Sequence, residues 1–185
     1  MVMLTTFQYR LYPTKQQQRL RSRQLEERRW RWKTLLAERK RAWEEQQEMV
    51  DSYEQKAELP SLKAGERPSL SEVHSQVLQD VALRLKKAFD AFFRRLKAGE
   101  NPGYPRFRGP GRYDSLTFPP GPVGCALDSE HPADPRLGLS KVGRIKVGRI
   151  KVVLHRPLEG SPKTATIRRT ATGKWCVSIV CQHCL

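Results

Sequence analysis

The sequence has 185 residues, with 35 lysines and arginines against 19 aspartates and glutamates, a formal net charge of +16 at pH 7. Such an excess points first to nucleic acid as a partner, with a merely solubilising basic surface as the alternative. The sequence has neither a long apolar run nor a signal-peptide pattern, which excludes membrane and secreted proteins. We therefore expect a cytoplasmic protein of one or two modest domains.

The first predicted elements are a strand and a long helix. Residues 2–12 are rich in β-branched and aromatic side chains, which predicts a strand that ends before Pro13. Thr14 and Gln17 form a capping-box pattern, and the helix that begins there is predicted to reach about Met49. The apolar residues at helical spacing are Leu25, Trp32, Leu35, Leu36 and Trp43.

A loop and a second long helix are predicted next. Residues 59–68 contain proline and glycine, which favours a loop. Ser69 and Glu72 repeat the capping box, so the second helix is expected to begin there and to end at Gly99. Its apolar stripe consists of Val73, Val77, Val81, Leu85, Ala88, Phe92 and Leu96.

The remainder of the chain, from about Gly103, is typical of a small antiparallel sheet or barrel. Short alternating runs predict strands at 115–118, 144–154, 164–170 and 175–181, and the last two form a hairpin. Within this part, residues 142–146 are repeated at once as 147–151. A five-residue repeat swaps the two faces of a strand, so either a bulge absorbs it or the copy is a slipped duplication.

Two stretches, residues 84–112 and 141–174, together supply the whole basic excess. Cations that alternate along a strand leave one face able to follow a phosphate backbone. Within the first stretch, residues 103–108 interleave aromatic rings with arginine, which suits the stacking of bases beside phosphates. The alternative is that Tyr104 and Phe107 anchor this connection onto the barrel.

Catalytic and metal sites are not evident from the sequence. A metal-dependent nuclease needs carboxylates held rigidly on strands. Here Asp128, Glu130 and Asp134 share a proline-rich stretch with His131 that resembles a solvated turn, and Asp114 and Glu159 stand outside the apolar runs. We therefore expect no catalytic residue, no metal and no cofactor.

The cysteines leave two interpretations open. They are Cys125, Cys176, Cys181 and Cys184, and the last two have the spacing of half a zinc knuckle. The alternative is two core thiols, on opposite faces of one strand, with an accidental pair in the tail.

Segments spread over most of the chain occur in the order found in one known family; they are residues 9–14, 35–44, 73–80, 88–97, 103–108, 113–117, 154–157 and 166–180. With them the chain resembles the amino-terminal half of the TnpB family, RNA-guided nucleases encoded by insertion sequences. The resemblance implies an α+β fold. Residues 1–12 would open an oligonucleotide-binding-like β-barrel, the wedge domain, residues 13–102 would form an inserted helical recognition domain, and residues 103–185 would complete the barrel.

The resemblance also implies partners: guide RNA, and a short motif beside the DNA target that Ser75, Gln76 and Gln79 would face. The chain departs from the family at Arg28, Arg31 and Lys33, which place cations on or beside the buried face of the first helix.

In the family a RuvC-like nuclease domain follows where this sequence stops, at Leu185. We therefore expect a truncated transposon-derived protein that binds nucleic acid and is not itself an enzyme. The alternatives are an RNA-guided DNA-binding regulator, part of a split nuclease completed by a separate RuvC-containing chain, and a non-functional fragment with an exposed barrel edge.

The candidate nucleic-acid-binding residues combine the two basic stretches, the aromatic loop and the start of the second helix. They are Ser75, Gln76, Gln79, Arg84, Lys87, Arg94, Arg95, Tyr104, Arg106, Phe107, Arg108, Arg112, Arg144, Lys146, Arg149, Lys151, Arg168 and Arg169.

Overall fold

The fold is that of a computed structural model, which describes residues 2–109, 112–118, 125–128, 135–139 and 149–184. The elements in chain order are β1 (Val2–Tyr12), α1 (Lys15–Gln46), α2 (Ser52–Ala57), α3 (Leu59–Ala64), a 3-10 helix (Pro68–Glu72), α4 (Ser75–Lys97), β2 (Ser115–Phe118), β3 (Cys125–Asp128), β4 (Arg136–Leu139), β5 (Arg149–Val153), β6 (Ser161–Arg169) and β7 (Trp175–Cys184). The α+β class is confirmed.

The chain forms two compact units. We call residues 1–25 with 114–185 the sheet unit, and residues 26–113 the helical unit. The assignment of wedge and recognition domains to residues 1–12, 13–102 and 103–185 stays a prediction.

The sheet unit is built on one antiparallel sheet in the order β2-β6-β7-β1-β5-β4-β3. Alternation of buried and exposed residues gives it one apolar face, to which β1 contributes Phe7, Tyr9 and Leu11. Ile150 and Val152 extend this face on β5. In this order β2 and β3 stand at the two edges, so the described strands form an open sheet, and closure into a wedge-type barrel stays a prediction.

The hairpin of β6 and β7 is confirmed. Thr170 donates its backbone N–H to the carbonyl of Lys174 at 2.7 Å, and Gly173 takes a positive φ of 76° in the turn. The side chain of Cys181 is buried and that of Cys176 is half-buried, on opposite faces of β7. The side chains of Cys125 and Cys184 lie outside the described residues.

Two strands escaped the sequence analysis. Residues 125–128 and 136–139, for which no strand was predicted and of which only Asp128 was placed in the solvated turn, form the antiparallel pair β3 and β4. They are short and lack the β-branched and aromatic residues that mark a strand. The predicted strand 144–154 is confirmed over Arg149–Val153, whereas residues 142–148, which hold most of the duplication, lie outside the described residues.

The start of α1 is confirmed as a capping box. The backbone N–H of Thr14 donates to Oε1 of Gln17 at 2.9 Å, and that of Gln17 donates to Oγ1 of Thr14 at 3.3 Å. The helix ends at Gln46, not near Met49, because Gln47 adopts a left-handed φ of 57° that a helix cannot continue through. Trp43, near this end, is 52% exposed instead of buried.

The start of α4 differs from the prediction. Ser69 and Glu72 lie in the 3-10 helix, Val73 is extended, and His74 caps α4 by accepting the Gln76 N–H on Nδ1 at 3.2 Å. The predicted loop 59–68 was also wrong in part, since residues 59–64 form α3. Proline is tolerated there because Pro60 stands in the first turn.

The end of α4 is confirmed. Gly99 has a φ of 76°, and its N–H and that of Glu100 donate to the carbonyls of Leu96 and Arg95, each at 3.0 Å. The helical unit has a core that joins α1 to α4, namely Trp32, Leu35, Leu36, Val81, Ala82, Leu85, Phe89 and Tyr113. Leu96 lies beyond it and is 53% exposed. Among the described residues, no helix is both long and apolar enough to cross a membrane.

Candidate nucleic-acid interface

The solvent-facing side of the sheet carries a group of cations, which we call the sheet surface. Its members are Arg10, Arg136, Arg149, Lys151 and Arg168, together with the ring of Tyr12. Arg10 is half-buried, and the other four cations are exposed.

Strand register places these cations on one face. Arg168 is opposite Cys176, Cys176 is opposite Arg10, and Arg10 is opposite Val153. Two residues further along β1, Tyr12 is opposite Lys151, which is opposite Arg136. Residues directly opposite in an antiparallel pair share a face, so the charges of four strands come together.

Arg10 and Arg168 each contact a neighbouring side chain. The guanidinium of Arg10 lies 5.5 Å from the ring centre of Tyr12, which is itself 55% exposed. Nε of Arg168 donates to Oδ2 of Asp114 at 2.8 Å, although 65% of the arginine side chain is accessible. An exposed ion pair of this kind is weak and leaves Arg168 able to meet a phosphate.

Arg169 occupies a different place from its neighbour. It is half-buried, donates from Nη1 to Oγ of Ser22 at 3.3 Å, and lies 6.0 Å from the ring centre of Trp175. It therefore packs within the sheet unit. Arg144 and Lys146 lie outside the described residues.

Sequence reasoning missed Arg10, Tyr12 and Arg136. Arg10 and Tyr12 stand on β1, far in sequence from the two basic stretches, and Arg136 stands on β4, also outside both stretches. The alternation of residues 9–12 could have indicated that Arg10 and Tyr12 share the polar face.

The first turn of α4 presents the polar residues expected to face DNA. Ser75 and Gln76 are exposed and Gln79 is half-buried. Oγ of Ser75 accepts a hydrogen bond from Nζ of Lys63 at 2.7 Å, so α3 supplies a cation at this turn. Burial lowers the pKa of Lys63 below its usual value.

The cations further along α4 divide into two kinds. Nε of Arg84 donates to Oδ2 of Asp80 at 2.7 Å, and 32% of the Arg84 side chain is accessible. The second kind is exposed and consists of Lys87, Arg94 and Arg95. Nε of Arg95 lies 3.8 Å from Oε2 of Glu100. The basic residues at the end of α4 also lie where the helix dipole favours positive charge.

The aromatic loop, residues 103–109, packs along the helical unit. Nε1 of Trp32 donates to the carbonyl of Arg106 at 3.1 Å. The guanidinium of Arg108 lies 4.8 Å from the ring centre of Trp32 and 5.5 Å from that of Tyr113. Tyr104 is 43% exposed and Phe107 52% exposed, and both Arg106 and Arg112 are exposed.

Two arginines of the helical unit are folded into its interior. Arg28 is fully buried, donates from Nη2 to Oδ2 of Asp80 at 2.7 Å, and lies 5.0 Å from the ring centre of Tyr113. Burial lowers the pKa of Arg28 and raises that of Tyr113, and Asp80 favours the charged arginine. This guanidinium is therefore part of the fold.

Arg31 is buried in the same way. It donates from Nη2 to the carbonyl of Gln55 and, at 3.3 Å, to Oε2 of Glu58. Burial lowers its pKa, and the Glu58 carboxylate opposes that effect. The expectation of cations on or beside the buried face is thus met by Arg28 and Arg31, whereas Lys33 is exposed, since it lies on the opposite side of the helix.

A cavity of about 550 Å³ opens beside Arg31, between α1 and α3. Its charged lining is mixed and consists of Arg31, Glu38, Arg41, Glu58 and Glu66. Burial raises the pKa of Glu38 above its usual value. With more acids than cations, the cavity does not suit a phosphate group.

Metal-ligating residues do not cluster in the described parts of the chain, where no group of three or more His, Cys, Asp or Glu side chains could hold an ion. Asp114 forms an ion pair with Arg168, and Glu159 is exposed. Glu130, His131 and Asp134 lie outside the described residues, as does the side chain of Asp128.

Comparison with known proteins gives a matching domain family and a similar protein. Residues 1–48 match the helix-turn-helix domain family of the OrfB proteins of IS605. In this chain those residues form β1 and one continuous helix. A protein of Streptomyces pristinaespiralis, provisionally described as an RNA-guided DNA endonuclease, is 32% identical over 187 residues.

The chain is similar to the amino-terminal region of this relative. The match covers 95% of the chain and 41% of the length of the Streptomyces relative. These comparisons support the predicted resemblance to the amino-terminal half of TnpB.

Proposed function

We propose that this TnpB-type chain binds guide RNA and target DNA, and that the sheet surface is a principal contact with the nucleic-acid backbone. The observation that carries the proposal is the set of five cations that strand register brings to one face of the sheet unit. Endonuclease activity is part of the description of the relative, and for this chain we propose binding alone.

The chemistry of the sheet surface suits phosphates. Its charged groups are four guanidinium groups and one ammonium group, and strands of a sheet lie about 4.8 Å apart. Guanidinium groups bind phosphate oxygens with two parallel hydrogen bonds. Tyr12 adds an accessible ring beside them, on which a base can stack. Contacts to phosphates give affinity without sequence choice.

The start of α4 is the proposed site of sequence readout. Gln76 and Gln79 lie within one turn, and an amide side chain can pair with the adenine edge in the major groove. Lys63 beside Ser75 provides a cation for the neighbouring phosphate. The domain assignment, the regulator and the split nuclease with a separate RuvC-containing chain stay predictions.

The test compares salt dependence of binding. Duplex DNA binding by Arg10→Gln/Lys151→Gln is measured at several salt concentrations against the wild type. The plot of log K against log salt concentration has a negative slope, and loss of two phosphate contacts makes it less steep by about 2. The control is Lys174→Gln, an exposed lysine in the hairpin turn of the same unit. An unchanged slope in the double variant contradicts the role of the sheet surface.

A second measurement addresses guide RNA. The protein is purified, and the nucleic acid that accompanies it is extracted and sequenced. One enriched RNA encoded beside its own gene supports guide binding. A random mixture that moderate salt removes indicates electrostatic attraction only and overturns the guide-RNA part.

A further inference from the structure

We propose that Phe107 is a stacking platform for an unpaired nucleotide, and that Tyr104 and Arg108 hold the loop that presents it. This inference rests on the proposed nucleic-acid binding and adds a site and a ligand class: the exposed face of a base in a single strand. The residues that carry it all lie in the helical unit.

Tyr104 is an anchor of the loop. Its ring meets the edges or faces of Phe89 and Phe92 in T-shaped geometry, with ring centres 5.5 Å and 5.6 Å apart. Such pairs stabilise a fold beyond the area they bury. Burial raises the pKa of Tyr104, which agrees with a ring seated on the helix. Tyr104 is thus occupied by the protein itself.

The chain is also fixed on both sides of Phe107. Before it, the carbonyl of Arg106 accepts the indole N–H of Trp32 at 3.1 Å. After it, Arg108 lies against the rings of Trp32 and Tyr113 at 4.8 Å and 5.5 Å. A cation held against two rings is a stable arrangement. The backbone that carries Phe107 is therefore ordered before any ligand binds.

Phe107 lies between these two fixed positions in the sequence. Its side chain is 52% exposed, and no ring among the described residues stacks against it. A ring presented on an ordered backbone loses little entropy when a base stacks on it. Tyr104 and Phe107 are both aromatic residues of the same loop, and they therefore have different roles.

The charge around Phe107 selects the ligand. Residues 101–113 contain Arg106, Arg108 and Arg112 and no acidic residue. Arg106 and Arg112 are exposed, and the guanidinium of Arg106 lies near Gly103, where an added Cβ would be 3.9 Å from it. An aromatic ring surrounded by cations suits a base that is joined to phosphates. It is less suited to an apolar peptide, which brings no negative charge for these cations.

A base within a duplex is already stacked on both faces, so the platform requires an unpaired nucleotide. Both single-stranded RNA and single-stranded DNA supply this chemistry. Binding of labelled single-stranded RNA, single-stranded DNA of the same sequence and the matching duplex is therefore measured by fluorescence anisotropy at one salt concentration.

Phe107→Ala is expected to weaken single-strand binding about tenfold, and to leave duplex binding and the salt slope unchanged, since no phosphate contact is lost. Phe107→Tyr keeps the ring and should bind as the wild type does. If RNA binding alone falls, the platform serves RNA, and if DNA binding alone falls, it serves DNA.

Trp43→Ala is the matched control, because Trp43 belongs to the same unit and is also 52% exposed. Urea unfolding of each variant checks that the fold is intact. Single-strand binding unchanged in Phe107→Ala, or lost equally in Trp43→Ala, overturns the platform while nucleic-acid binding stands. A wild-type chain that binds none of the three probes overturns the proposed function as well.

Discussion

In the helical unit Arg28 and Arg31 are buried against Asp80, Gln55 and Glu58, whereas in the sheet unit Arg149 and Arg168 lie exposed on one face of the sheet. The same residue type therefore stabilises the fold where it is buried and is presented to solvent where it is exposed. A buried guanidinium must be matched by carboxylates and carbonyls, while an exposed one keeps its charge accessible to phosphates. Net charge alone overstates the charge that a ligand can meet.

The largest expected effect comes from removing the carboxylate that faces Arg28. Asp80→Asn should lower the free energy of unfolding by about 3 kcal/mol, because a buried guanidinium loses its opposite charge. Urea unfolding measures it. The control is Asp90→Asn on the same helix, where the exposed pair with Lys86 is worth less than about 1 kcal/mol. Equal effects of the two substitutions would contradict the distinction between buried and exposed arginine.

A compensating variant sharpens the same point. Arg28→Met combined with Asp80→Asn removes both charges and fills the site with an apolar chain. It should be more stable than Asp80→Asn alone, since the buried charge that needs a partner is gone. If the double variant is less stable than Asp80→Asn alone, burial of the Arg28 charge does not reduce the stability of the fold.

The sheet unit is expected to depend on backbone geometry more than on its cations. Gly160 has a φ of 80°, and an added Cβ would lie 2.7 Å from the carbonyl oxygen of Gln182. Gly160→Ala should therefore cost about 2 kcal/mol or more, strain and clash together. Gly173→Ala, with a φ of 76° and open space around it, should cost about 1 kcal/mol. Thermal unfolding that ranks them in the opposite order would be inconsistent with this contact.

The smallest expected effect on stability is that of Arg168→Gln. Its exposed pair with Asp114 contributes less than about 1 kcal/mol, so the unfolding midpoint should hardly move. The plot of log K for duplex DNA against log salt concentration should nevertheless become less steep by about 0.9, because one phosphate contact is lost. A large loss of stability with an unchanged slope would place Arg168 with the buried arginines.

Local patterns predicted most of the fold. The alternation of β1, the capping box at Thr14, the αL glycine at Gly99 and the turn before β7 each depend on neighbours in sequence, and each is confirmed. The two short strands β3 and β4 lack such a local signal and are defined by their pairing.

The site was less accessible to sequence reasoning. Asp80, the partner of Arg28, stands on another helix, so the burial of that arginine could be suspected but not its pairing. The sheet surface depends on the register of separate strands. Arg10 and Arg168 lie on the same face because each is opposite Cys176, on either side of β7. The different roles of Tyr104 and Phe107 depend on which ring meets α4.

The position of β1 in the sheet has a consequence for folding. Its long pairing is with β7, where Met3 is opposite His183 and Leu11 is opposite Trp175. During synthesis β1 therefore leaves the ribosome well before this partner exists. Pairings between such distant segments are slow, whereas the helical unit can form from contacts closer in sequence. We expect the helical unit to fold first and the sheet to close last.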